Sequence, residues 1–433
     1  MKLGLINPRG AYFSNNKKVG SVWNNSEVSS STNRLYTCPN LGLLTIAALS
    51  KDYFSEITYI DENFDNIDYD ECFDLIGISA MTNQINRAYL IADKFRAKGI
   101  TVAIGGVHAT VLPEEATEHA DVVIIGEAEG LWEEFLGDFK NKSFKRFYKR
   151  DNNDGIDITK TPVPMFDLLN IKNHKIIPIQ TSRGCPHNCE FCSSPKIFGK
   201  KYRFKTVEQI VNEVNALKRV WDKPYIYFSD DNMTVNKKFT KELLKELVPL
   251  KIRWQGYSDI SIADDDELLE LLSHSGCTNL LFGLESLSTS NLGVIDKWKM
   301  NQLNKYSWSI EKIQSFGIGV FGSFILGLDN DTTGVFKDVS SFIIDNNLYG
   351  AIITVQTPLP GARLYDRLKE EGRIFNDNWD NYTLFDVVSE PKNMTVKELE
   401  DGLEWVYQQV YSKDAINSRS RYFKNIVTSL RLR

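Results

Sequence analysis

The chain has 433 residues, 42% apolar and 25% charged: long enough for two or three cored domains, and too ordinary in composition for a disordered or fibrous protein. Its 51 Lys+Arg against 57 Asp+Glu leave a formal charge of −6, which offers no basic field to a nucleic-acid partner. Six cysteines are too few for a disulfide scaffold, yet Cys185, Cys189 and Cys192 fall close together, and that grouping needs an explanation.

From the N-terminus, Met1-Lys2-Leu3-Gly4-Leu5-Ile6 stops at Asn7-Pro8-Arg9, too short an apolar run for a signal segment. No apolar run of about 18 residues marks a membrane span, so a cytoplasmic chain with no membrane partner is expected. Lys2–Ile6, Ile57–Ile60, Leu75–Ser79, Thr101–Ile104 and Val122–Ile125 read as strands. Between them Leu41–Tyr53, Gln84–Lys98, Pro113–Glu118 and Glu129–Phe139 read as helices. Strands alternating with helices predict a parallel sheet covered on both faces, with ligands outside the strands' carboxyl ends. Those ends carry Asn7-Pro8, Ala80–Gln84, Gly105–His108 and Gly126-Glu127.

Residues 141–175 read as a linker, with the basic run Lys145–Arg150 as a solvated segment, followed by Asp151-Asn152-Asn153-Asp154-Gly155, Pro162 and Pro164. A second series of strands follows at Ile176–Gln180, Tyr225–Ser229, Ile252–Tyr257, Asn279–Gly283, Val320–Ile325 and Ile352–Thr357. Helices fall between them at Val207–Val220, Lys237–Leu247, Asp264–His274, Asn301–Phe316 and Val335–Asn346. Six βα units predict a curved barrel left open on one side. The expected division is 1–140 sheet domain, 141–175 linker, 176–365 partial barrel, and 366–433 a helical cap over a barrel end. The cap carries Trp379, Tyr382, Trp405, Tyr407 and Tyr411, read as core or as part of a substrate pocket.

The cysteines form a C-x3-C-x2-C run, Cys185-Pro186-His187-Asn188-Cys189-Glu190-Phe191-Cys192, just past the first barrel strand, where barrel active sites lie. Three thiolates can hold three corners of a [4Fe-4S] cube and leave one iron open to an external ligand. The competing reading is zinc with His187 as fourth ligand, but structural zinc normally pairs two knuckles and no second knuckle is present. Cys38, Cys72 and Cys277 stand alone. A non-catalytic iron–sulfur protein is a third reading, against which the open iron argues.

The loop, its place after a first strand and the aromatic Phe191 resemble the radical S-adenosylmethionine (SAM) superfamily. That resemblance implies a [4Fe-4S] cluster on Cys185, Cys189 and Cys192, SAM chelated to the open iron, an external electron donor and a 5′-deoxyadenosyl radical. By position in the family it implies Phe191, Asp230, Asp231, Glu285 and Ser286 around SAM. Gly322–Gly327 and Thr357-Pro358-Leu359-Pro360-Gly361 resemble the family's fifth-strand and sixth-strand features. Leu328-Asp329-Asn330-Asp331 departs from its usual Pro-Gly-Glu stretch.

The first domain resembles the Rossmann-like cobalamin-binding domain fused to one class of these enzymes. The resemblance rests on Leu5-Ile6-Asn7-Pro8, Gly42–Ala48, Gly77–Thr82, Gly105–Thr110, Pro113-Glu114-Glu115 and Ile125-Gly126-Glu127. It implies that Asn7, Thr82, Asn83, Gly106, His108, Gly126 and Glu127 line the cobalamin face. The cobalt-ligating D-x-H-x-x-G signature is absent. The expected activity is methyl transfer to an unactivated carbon or phosphorus centre of a small-molecule or peptide substrate. The alternative is ring rearrangement, cyclisation or aminocarboxypropyl transfer on the same architecture, without methylation and without need of bound cobalamin. Tyr257, Asp259, Gln356 and Arg363 stand near barrel strand ends, where a substrate would sit.

Overall fold

Two parallel sheets organise the computed structural model, which describes residues 1–10, 38–150 and 155–431. In the first, β1 (Lys2–Asn7), β2 (Glu56–Asp61), β3 (Leu75–Ser79), β4 (Thr101–Gly105), β5 (Val122–Ile125) and β6 (Phe147–Lys149) lie in the order β2-β1-β3-β4-β5-β6. β1 and β3 are buried along nearly their whole length, which explains why their sequences run apolar without alternation. The connecting helices are α1 (Leu41–Ser50), α2 (Ile85–Arg96), α3 (Val107–Val111), α4 (Pro113–His119) and α5 (Leu131–Lys140). Asn40 starts α1 by accepting the Leu43 N–H on its side-chain oxygen. α1 and α5 cover one face, where Trp132 Nε1 donates to Ser50 Oγ at 2.8 Å; α2 and α4 cover the other.

β6 lies in the stretch expected to be linker and extends the first sheet beyond residue 140. The run Lys145–Arg150 is therefore not simply solvated: Tyr148 is buried with its hydroxyl on Asp138 (2.7 Å), and Arg150 Nη1 donates to the Glu127 carbonyl oxygen (2.5 Å). Its charge hid a three-residue strand too short to show a period. Residues Asp151 to Asp154 lie outside the described residues.

The second sheet holds β7 (Ile177–Ile179), then, after a two-stranded ribbon of β8 (Ser182–Arg183) and β9 (Arg203–Phe204), the strands β10 (Tyr225–Phe228), β11 (Arg253–Ser258), β12 (Cys277–Glu285), β13 (Gly319–Leu326) and β14 (Gly350–Val355). The order β14-β13-β12-β11-β10-β7 is parallel throughout, and β7 and β14 remain its two edges, so this is a partial barrel. Helix α6 (Ser194–Phe198) sits within the ribbon's loop. The further connections are α7 (Val207–Val220), α8 (Lys237–Leu247), α9 (Asp266–His274), α10 (Thr289–Ile295), α11 (Lys297–Gln302), α12 (Tyr306–Ser315) and α13 (Gly334–Asp345). The single helix expected from Asn301 to Phe316 divides between α11 and α12, and α10 was not expected at all. Ser288 and Asp296 cap α10 and α11 locally, in a polar stretch with no apolar period.

Beyond β14 come α14 (Arg363–Glu370), α15 (Val396–Val410) and α16 (Lys413–Arg431). The cap was expected over a barrel end; α15 instead lies along the outer edge of β14. The Tyr407 hydroxyl accepts from Ile353 N–H (3.0 Å) and donates to Ile353 O (2.9 Å), and Tyr411 does the same with Ala351 (3.1 and 2.5 Å). Trp379 reaches back to the first domain, where its Nε1 donates to Glu115 at 3.1 Å. It is therefore a clasp between domains.

Candidate active site and cofactor cavity

The cysteine loop hangs between the two arms of the β8–β9 ribbon, after the carboxyl end of β7. Its neck is closed by the Cys185 N–H donating to Gly199 O at 3.2 Å. All three thiols are half-buried. Burial pushes the Cys185 thiol up, Cys189 up to about 12 and Cys192 up to about 11. Protein surroundings alone therefore do not make these sulfurs thiolates, and bound iron would supply the missing positive charge. A cube spreads its thiolates over separate corners, so the donor set fits a cluster. His187, the candidate zinc ligand, directs Nδ1 to Asp296 at 2.9 Å.

The predicted SAM residues meet this loop in different ways. Phe191 packs with Cys189 against Ile295, Ile325 and Leu328. Asp231, at the end of β10, accepts from Ser194 Oγ at 2.7 Å beside the last cysteine. Asp230 is buried and already engaged: it accepts from Thr181 N (3.0 Å), Thr181 Oγ1 (2.9 Å), Ser182 Oγ (2.7 Å) and the Ser182 N–H. Its carboxylate thus fixes the start of the ribbon and has little left for a ligand. Glu285 is buried at a bulge where the β12–β13 register shifts, and its φ of +64° is left-handed. Lys299 Nζ, on α11, donates to Glu285 Oε1 (2.7 Å) and Gly283 O (2.9 Å). Burial alone would lower this ammonium, but Glu285 and the nearby Cys189 hold it above the usual lysine range. Ser286 is buried and accepts the Ser288 N–H.

A solvent-open, largely apolar cavity lies over the carboxyl ends of β1, β3, β4 and β5. Leu5, Gly77, Ala80, Gly105, Gly106, Thr110, Gly126 and Glu127 line it from the first domain. Gln180, Arg183, Ile197, Phe198 and Ser229 line it from the barrel, so the cysteine loop forms part of its wall. Gly106, at φ +93°, packs against the Ala80 backbone so closely that an added Cβ would lie 2.8 Å from it. A Cβ on Gly126 would meet open space and intrude on the cavity. This roomy, apolar, glycine-edged cradle fits a corrin.

Of the seven residues expected there, Gly106, Gly126 and Glu127 line the cavity. Asn7 turns to the Asp61 side chain instead. Thr82 and Asn83 belong to the turn Thr82–Gln84, tied to Pro8 O by Gln84 Nε2 at 2.7 Å. His108 is fully buried, with Nε2 on Glu115 (3.2 Å) and its ring edge-on to Trp379 at 5.0 Å. The strand-end pattern that singled out these four does not say which side of a loop faces inward.

Glu127 does more than line the cavity. Its carboxylate receives Arg183 Nη1 (2.9 Å) from β8 and Arg203 Nη1 (2.8 Å) from β9, and Arg183 also reaches Glu129 (2.7 Å). Sequence reading missed both arginines, although charged residues flanking the cysteine loop were a usable signal. It missed Arg367 as well, which grips Glu190 inside the cysteine motif through two bonds (2.7 and 3.1 Å). Arg363 donates to Asn188 O (2.5 Å) and so holds the loop. Tyr257 stacks edge-on with Tyr227 at 5.7 Å, Asp259 accepts from Asn232 (2.8 Å), and Gln356 is buried.

The Radical SAM superfamily description matches residues 179–343, and the B12 binding domain description matches 31–136. The chain is 32% identical over 387 residues to bacteriochlorophyllide d C-12(1)-methyltransferase of Chlorobaculum tepidum, covering 88% of this chain and 84% of that one. It is 31% identical over 411 residues to the bacteriochlorophyllide d C-8(2)-methyltransferase of the same organism, covering 90% of each. Hopanoid C-2 methylase of Rhodopseudomonas palustris is 29% identical, over 78% of this chain and 66% of that one. In fold, the chain is similar to the radical SAM methyltransferase TsrM of Kitasatospora setae, at TM-score 0.65 and 14% identity over 94% of this chain and 85% of that chain. The cysteine loop on an open barrel, the cavity beside it and these matches together make the chain a member of the radical SAM superfamily with a B12-binding domain.

Proposed function

We propose that the protein is a cobalamin-dependent radical SAM methyltransferase that acts on an unactivated centre. The relatives' printed positions, C-12(1), C-8(2) and C-2, favour carbon over phosphorus. Their methyltransferase names favour methylation over cyclisation or rearrangement. One observation carries the reading: the cysteine loop and the cavity share a wall, made by Arg183 before the motif and Ile197 and Phe198 after it. A methyl donor and a radical generator must reach one substrate, and adjacency serves that need.

When bound, the cluster with SAM supplies a 5′-deoxyadenosyl radical and the corrin supplies a methyl group. The chain's own residues bind and orient. Cys185, Cys189 and Cys192 would hold three irons, and Arg363, Arg367 and the closed neck keep them in place. Lys299 steadies Glu285, which would receive the ribose hydroxyls, and its ammonium would take the SAM carboxylate. Asp231 would accept from the methionyl amine, and Asp230 fixes the ribbon behind it.

The test is anaerobic reconstitution with iron, sulfide and cobalamin, followed by optical spectra and product analysis with SAM and a strong one-electron reductant. Expected are a corrin spectrum that survives desalting, 5′-deoxyadenosine and S-adenosylhomocysteine. Active protein with no retained corrin would remove the methyltransferase reading, and an intact cluster that yields no 5′-deoxyadenosine would remove the radical one.

A further inference from the structure

Tyr202 stands at the foot of the β8–β9 ribbon, immediately before Arg203, and is half-buried. Its hydroxyl donates to Cys185 Sγ across 3.7 Å. The ring rests 6.2 Å from that of Phe204, so the ribbon fixes the phenol's direction. The ribbon is itself held by Glu127 through Arg183 and Arg203. The sulfurs are not treated alike: Cys185 also faces the His187 N–H, and Cys192 faces the Ser194 N–H. Among the described residues, Tyr202 is the side chain that donates to a motif sulfur.

Resting on the reading that Cys185, Cys189 and Cys192 hold a [4Fe-4S] cluster, we propose that Tyr202 is a positioning residue that raises the cluster's reduction potential through its hydrogen bond to Cys185. Reduction adds one electron, taken from an external one-electron donor, and part of that charge resides on the ligating sulfurs. An O–H aimed at one sulfur stabilises the more negative, reduced state more than the oxidised one. No proton moves and no bond breaks. The bond to Tyr202 makes the cluster easier to reduce, while its three thiolates remain the ligands.

The test is a dye-mediated redox titration of the full-length, cluster-loaded protein, read by the electron paramagnetic resonance signal of the reduced cluster, with iron and sulfide measured alongside. Y202F should keep the iron and sulfide of the natural protein. Its reduced-to-oxidised ratio at a fixed potential should fall about tenfold, equal to a shift of about 59 mV for one electron. F204L disturbs the same ribbon packing but leaves the hydroxyl, and its potential should stay unchanged. An unshifted potential in loaded Y202F, or an equal shift in F204L, would overturn the proposal alone. So would loss of iron confined to Y202F, since the hydroxyl would then be holding the loop. A natural chain that takes up no iron would overturn the cluster reading itself.

Discussion

Lys299 is a half-buried ammonium whose charge needs a reason. Glu285 balances it, yet both sit at the carboxyl end of β12 beside Cys189, where a ligand with a carboxylate and a diol would meet both signs of charge. Replacing Lys299 by Met should weaken SAM binding at least about tenfold in equilibrium dialysis, with iron content unchanged. It should also cost about 3 kcal/mol in urea unfolding, because Glu285 is left buried without its partner. Unchanged SAM affinity would confine the lysine to a structural role. Glu285 and Ser286 were legible in the sequence as polar residues ending an apolar strand. Lys299 was not, because it arrives fourteen residues later on a short capped helix without apolar spacing. Asp230 shows the opposite error: an acidic strand end was legible, but its four donors come from Thr181 and Ser182, nearly fifty residues earlier.

At the scale of elements, the loop after β13 holds two carboxylates with opposite fates. Asp329 is surrounded by Arg367, Arg373 and Lys392, at 2.8, 3.0 and 3.1 Å. Asp331 is buried, and Asn291 with the Leu328 and Gly327 N–H groups offsets that burial only in part, so its carboxyl rises from the ordinary 3.8 to about 6. A carboxyl that binds its proton more tightly folded than unfolded stabilises the fold below about pH 4, and that stabilisation is lost as pH rises through about 6. A rise from 3.8 to about 6 corresponds to about 3 kcal/mol. The stability of D331N relative to the natural chain, from urea unfolding, should therefore rise by about that amount between pH 4 and pH 7. A pH-independent difference would show that Asp331 is ionised at no such penalty. The buried strands were legible as short apolar runs and the longer helices by an apolar period of 3.6 residues, because both report directly on burial. β6 and α10 were not: the first is three residues under a run of charge, the second a local capping arrangement in a polar segment.

For the whole molecule, Glu127 joins the domains. One carboxylate of the first sheet receives arginines from both arms of the ribbon that carries the cysteines, and the same residue lines the cavity. E127Q would leave Arg183 and Arg203 in buried surroundings without that charge. It should destabilise the protein by about 3–5 kcal/mol. It should also loosen corrin retention, read from corrin absorbance after desalting, because the wall shared with the cysteine loop loses its anchor. Full retention with unchanged urea stability would show that the domains are held elsewhere. The two-domain plan was legible, since strand–helix alternation restarts after the Pro-bearing segment. The packing of one domain on the other was not, because it depends on residues 56 and 76 positions apart. The edge of β14 has a further consequence. Tyr407 on α15 and Tyr411, which caps that helix, are four residues apart, a rise of about 6.0 Å, while Ile353 and Ala351 are two apart on β14, about 6.6 Å. The two repeats nearly coincide, so a helix presents its phenols at the spacing of an absent seventh strand. Each hydroxyl both gives and takes, as a strand residue would. The barrel is thus left incomplete without being left adhesive: a foreign strand seeking to add itself at β14 finds the ladder already answered by side chains.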